Sequence, residues 1–144
     1  MNDLVDNGIR RHLVKQQPCF AKLTDEEIEM LSQLLVETQV GKGAVLVTQG
    51  DRVDSVYFIV AGTADVRYVS IQDGKQIFKS LAKLKDGQTI GLSDTGFYSL
   101  SGIRTATVVA ETDMTLYRLS VPAFNGFALA NPHVNEVMRK NPTE

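Results

Sequence analysis

The stretch with the most chemical potential is GLSDTGFYSLSGIRTATVV, residues 91 to 109, which holds one cation, Arg104, and one carboxylate, Asp94. Glycines, hydroxyls and apolar side chains surround them. A guanidinium offers forked donors that match a phosphate. Gly91, Ser93 and Asp94 are placed to start one helical turn whose free N–H groups would face the same anion, and small residues let a ligand approach the backbone. The spacing alone allows two readings of Arg104: the anchor of an anion site, or an exposed or ion-paired arginine at the head of the strand TATVV. The segment from Gly91 to Ile103 is too long for a tight turn, and loops of that length in a compact domain are often functional.

Other site chemistries find no support. The two histidines, His12 and His133, lie in flanking helical segments and read as solvent-facing. The β-region has none, so the histidine cluster of a metal centre is absent. Ser93, Ser99 and Ser101 have no histidine nearby to act as base, and loop serines commonly serve turn hydrogen bonds. There is no GxxxxGK[ST] loop, and Gly41 and Gly43 read as turn glycines. Tyr57, Phe58, Tyr68, Phe78 and Tyr117 read as core or cross-strand packing. The reading is of a non-enzyme.

The elements that must position Arg104 follow from periodicity. Asp3 to Lys15 carries Leu4, Val5, Ile9, Leu13 and Val14 at helical spacing. In FAKLTDEEIEMLSQLL, Thr24 and Glu27 form a capping box, flanked by Leu23 and Ile28 as a staple. From Val36 the period changes to short runs rich in Val, Ile, Tyr, Phe and Thr: AVLVTQ, SVYFIV, TADVRYVSI, QIFKSLAKL, TATVVAE and MTLYRLSV. Asp73-Gly74 is the strongest tight-hairpin signal among the separators. Pro122 and Pro132 open two short C-terminal helices. The expected fold is mainly β with flanking helices, as a single domain: helical over 1–35, a β-roll over 36–121 and helices over 122–140.

Composition sets outer limits. The chain has 144 residues, a formal net charge of −2 and no basic cluster, which argues against a nucleic-acid face. Cys19 is the only cysteine and reads as a small buried hydrophobe. No window approaches the roughly 20 apolar residues of a membrane span, and no signal peptide is seen. A cytoplasmic protein is expected.

The ordered motifs resemble the cyclic nucleotide-binding domains. The resemblance runs from about Phe20 to Leu129. It rests on the entry helix, the turn glycines Gly43 and Gly50 of VGKGAVLVTQGD, the VYFIVAGTADV signature (Tyr57, Ile59, Gly62, Val66), LKDGQTIG and RTATVVAETDMTLYRL. It implies a double-stranded β-helix, or jelly roll, with N- and C-terminal helices. It also implies a phosphate-binding cassette over 91–107: Gly91, Leu92, Ser93, Asp94, Arg104, Thr105, Ala106 and Thr107. Arg104 would pair with the cyclic phosphate of cAMP or cGMP, Thr105 would contact phosphate or purine, and Gly91 would begin the cassette's short helix. A C-terminal helix would close over the base.

Two departures stand out. Leu92 occupies the position where the family carries a glutamate for the ribose 2′-hydroxyl, leaving Asp94 as the only carboxylate before Arg104. Arg104 also follows Gly91 by thirteen positions, longer than is common in the family. The implied function is a sensor that passes its signal to a protein partner or a larger chain, with a homodimer among the allowed assemblies. No cofactor is implied. The alternative is the same fold without ligand, acting as an interaction or dimerisation module.

Overall fold

The computed structural model describes residues 2–93, 96–97 and 102–139. Helix α1 (Asn2–Lys15) leads through a single 3-10 turn (Pro18–Phe20) to α2 (Asp25–Ser32). The capping box is present: Thr24 Oγ1 accepts from the Glu27 N–H at 3.1 Å, and Glu27 Oε1 accepts from the Thr24 N–H at 2.8 Å. Two orphan donors are thus satisfied at the helix start. Leu23 and Ile28, on either side, are both buried.

Ten strands follow among the described residues: β1 (Val36–Val40), β2 (Val45–Val47), β3 (Ser55–Ala61), β4 (Ala64–Gln72), β5 (Lys75–Leu84), β6 (Thr89–Ile90), β7 (Leu92–Ser93), β8 (Gly96–Phe97), β9 (Thr107–Ala110) and β10 (Met114–Ser120). They form one sheet ordered β1-β10-β3-β6, a second ordered β2-β9-β4-β5, and the small pair β7-β8. All pairings are antiparallel. Helices α3 (Val121–Ala130) and α4 (Pro132–Arg139) close the described chain. The result is the mainly-β roll with flanking helices that the sequence implies.

Strand alternation divides the interior in two. Val56 and Phe58 join Phe20, Ile28, Leu31, Phe124 and Val134 in a core between the helices and the first sheet. Ile59 and Leu116 join Val47, Ala64 and Val108 in a core inside the roll.

Several details differ from the sequence reading. Strand β1, VETQV, falls outside the expected runs because it is largely exposed and has apolar residues only at its ends. Strand β9 begins at Thr107, two residues later than TATVVAE suggests. Tyr68 and Phe78 are exposed and not in the core: Phe78 lies on β5, the free edge of its sheet, and Tyr68 lies on β4 beyond the Ala64–Arg67 stretch that pairs with β9. Phe78 instead lies under the Arg67 guanidinium, 4.5 Å from the ring centroid. The Asp73-Gly74 turn is as expected: the pair joins Gln72 to Lys75 with φ of 51° and 76°, the left-handed values of a type I′ turn. Cys19 is buried. His12 is exposed, but His133 is not purely solvent-facing: its Nδ1 lies 2.9 Å from Glu27 Oε1, joining α4 to α2. Burial pushes the Glu27 carboxyl up, yet its bonds from Thr24 and His133 outweigh that and leave it below its usual range. No helix among the described residues is long and apolar enough to cross a membrane.

Helix α1 is fastened to the first sheet by one polar cluster. The Tyr117 hydroxyl donates to Asp6 Oδ1. Arg10 Nε pairs with Asp6 Oδ2 at 2.7 Å, and its guanidinium carbon sits 4.5 Å over the Tyr117 ring. Burial, together with the bond to Asp6, pushes the Tyr117 phenol up to about 12 from its ordinary 10.0. The folded value is raised, so this contribution is fully present below pH 10 and is lost as pH rises through about 12. The unfolding free energy of the wild type should therefore fall more steeply over that window than that of Tyr117→Phe, measured by urea denaturation. Equal slopes would mean that the phenol does not hold α1.

Candidate ligand cavity around Arg104

Arg104 sits just before β9, in a segment anchored by the turn that follows β2. Its N–H donates to the Asp51 carbonyl at 2.7 Å, and its own carbonyl accepts from the Gly50 N–H at 2.9 Å. Arg52 and Ile103 form a β-bridge alongside, and the Val53 N–H donates to the Gly102 carbonyl. The turn is itself tied to the second sheet. The Gln49 side chain exchanges two hydrogen bonds with the Val69 backbone (3.1 and 2.8 Å), and the Gln49 N–H donates to Thr107 Oγ1 at 2.9 Å. The backbone at Arg104 is thereby fixed from both sides.

The side chain is as constrained as the backbone. Arg104 is only 7% exposed, unlike the exposed arginine that spacing alone allows. Nη2 donates to the Ser55 carbonyl at 2.6 Å. Among the described residues no carboxylate pairs with it. Burial lowers its pKa, with Tyr57, Asp54 and Asp51 acting in the opposite sense; an arginine nevertheless keeps its proton. A buried ion without a counter-ion costs several kcal/mol unless something else compensates.

Gly91 lies against this guanidinium. Its φ is +99°, and a Cβ there would meet Val56 Cγ1 at 2.9 Å and Arg104 Nη1 at 3.2 Å. Only glycine suits both the conformation and the approach. The same φ rules out the expected short helix beginning at Gly91. Leu92–Ser93 instead pairs with Gly96–Phe97, and Leu92 is buried in the core that includes Phe20 of the 3-10 turn.

Arg104 faces a cavity of about 460 Å³, within the usual size of small-molecule sites. Of the residues expected at the site, Gly91, Leu92, Arg104, Thr105 and Ala106 line it together. Thr107 does not, its hydroxyl being engaged by Gln49. Ser93 contributes backbone to β7, and Asp94 lies outside the described residues. The remaining wall comes from residues that the sequence reading left in strands or turns without a ligand role: Val47, Val53, Val66, Leu81, Ala82, Leu84, Thr89, Ile90 and Val108. Alternation signals which strand residues face inward, but not that the interior stays open. Among the described residues the cavity thus pairs one buried cation with largely apolar walls.

A family model for the cyclic nucleotide-binding domain matches residues 37–131, and the chain belongs to that family. No curated protein matches it in sequence. The N-terminal domain of a transcriptional regulator from Streptomyces coelicolor A3(2) is 26% identical, with a TM-score of 0.72 over 88% of this chain and 84% of that one. The cAMP-bound PfPKA-R is 22% identical, with a TM-score of 0.75 over 88% of this chain and 43% of that one. The regulatory domain of Toxoplasma gondii PKA, crystallised with cAMP, is 17% identical, with a TM-score of 0.73 over 88% of this chain and 46% of that one. The chain therefore spans less than half of either kinase regulatory chain. These last two likenesses establish the shared fold.

Gly91→Ala tests the packing of the site. It should cost at least about 1 kcal/mol of stability, since it places a side chain at positive φ against Val56 and the guanidinium. The midpoint of urea denaturation measures this, and an unchanged midpoint would contradict the close approach.

Proposed function

We propose that this domain is a sensor that binds a cyclic nucleotide, cAMP or cGMP, with its phosphate on Arg104. The observation that carries the reading is a buried guanidinium, without a carboxylate partner among the described residues, in the wall of a 460 Å³ cavity. An anionic ligand supplies the counter-charge that no described residue brings. Thr105, next in sequence and exposed in the same wall, offers a hydroxyl to the phosphate. The apolar walls suit the base. Family membership and the cAMP bound to two proteins of the same fold support the same ligand class.

A route for the signal starts at Leu92. It lines the cavity and also belongs to the core shared with Phe20, Phe124 and Val134 of the helical layer. A ligand that shifts Gly91–Leu92 changes the packing under α3 and α4, and the helices carry that change to a partner or to a larger chain. The alternative, an interaction module without ligand, draws on the bond that Arg104 already makes to the Ser55 carbonyl and on the apolar residue at position 92.

Thermal unfolding with added cAMP or cGMP separates the two. At 100 times its dissociation constant a ligand stabilises the fold by about 2.7 kcal/mol, which raises the midpoint by several degrees. Arg104→Lys keeps the charge but loses the fork, and should remove most of that shift. The absence of any shift at millimolar nucleotide would favour the interaction module.

A further inference from the structure

We propose, building on the reading of a cyclic-nucleotide site, that Tyr68 stands at the mouth of the cavity and stacks on the base of the ligand. Strand alternation fixes the face to which its ring turns. Along β4, Ala64 and Val66 pack toward the interior of the roll, and Val66 lines the cavity. Asp65 and Arg67 turn to the opposite face: they pair with each other, Asp65 accepts from the Ser80 hydroxyl, and Arg67 lies over Phe78 of β5. Tyr68 comes next and returns to the cavity face. Across the hairpin, Val66 pairs with Ala82 and Tyr68 with Lys79, and Leu81 lies at the bulge between them. Leu81 lines the cavity yet is 54% exposed, and Thr105 is likewise a lining residue that is exposed. These two mark the mouth. Since β4 runs between β9 and β5, Tyr68, itself 49% exposed, stands between them.

The ring is also placed in advance. On one side of Tyr68, Arg67 is paired with Thr107 of β9. On the other, the Val69 backbone is held by the Gln49 side chain at 3.1 and 2.8 Å. With its backbone fixed at both neighbours, Tyr68 offers a flat apolar face at a reduced ordering cost. A nucleotide whose phosphate rests on Arg104 and whose base reaches the mouth meets that face beside Leu81. Every base has a π-face, so stacking of this kind adds affinity without choosing between adenine and guanine.

The test is calorimetric titration of the full chain, as wild type, Tyr68→Ala and Tyr68→Phe, with cAMP, with cGMP and with the base-free ribose 3′,5′-cyclic phosphate. One base–aromatic stack is worth roughly 5- to 150-fold in affinity. Tyr68→Ala should therefore lose about fivefold or more for both nucleotides, while Tyr68→Phe, which keeps the ring, should stay within about threefold of the wild type. Affinity for the base-free phosphate should be the same in Tyr68→Ala as in the wild type, whereas a merely structural role would weaken all three ligands alike. Should the base-free compound bind too weakly to titrate, the two nucleotides decide. A smaller loss in Tyr68→Ala, an equal loss in Tyr68→Phe, or an equal loss for the base-free phosphate overturns the inference while leaving the proposed function intact. If neither nucleotide binds the wild type, the proposed function falls, and this inference with it.

Discussion

Burying one guanidinium inside a β-roll is the constraint on which the site depends. Arg104 carries a full charge at 7% exposure, and its surroundings are built to tolerate that. The Ser55 carbonyl takes one donor. Glycine at position 91 removes the side chain that would collide with another nitrogen. The turn over residues 49–53 fixes the backbone through paired bonds with Gly50 and Asp51, and is held by Gln49 against β4 and Thr107. These interactions restrict the guanidinium to one place without supplying a carboxylate from the described chain. A charge positioned in advance lowers the ordering cost of binding an anion.

The same constraint ties the cavity to the helices. Gly91 touches the arginine, and Leu92, its neighbour, is packed under the helical layer. Among the polar joints that hold the helices around that core are Asp6 with Tyr117 and Arg10, Glu27 with His133, and the Thr24–Glu27 box. Glu27 takes part in two of them, so the start of α2 and the position of α4 share one carboxylate.

How much of this the sequence reveals depends on the range of the interaction. The Thr24–Glu27 box and the Asp73-Gly74 turn are local chemistry, complete within four residues, and both are legible in the string. So is the order of glycines and strand runs that marks the family. Features set by distant partners are not. Thr107 looks like a cassette hydroxyl, yet Gln49, from the turn after β2, engages it. Phe78 and Tyr68 look like core or cross-strand aromatics, yet both stay exposed, Phe78 on the edge strand β5 and Tyr68 on β4 beyond its pairing with β9. Gly91 suggests a helix start until Arg104 and Val56, brought close by the fold, hold it at positive φ. The double placement of Leu92 has no signature in a single residue.

The central claim is that Arg104 holds a cyclic phosphate. A crystal structure of the chain grown with cAMP tests it most directly. The account predicts phosphate oxygens about 3 Å from the Arg104 guanidinium nitrogens, with Gly91 beside them and the base against the apolar wall. Nucleotide bound elsewhere, or a cavity without nucleotide in which Arg104 still rests on the Ser55 carbonyl, would contradict it.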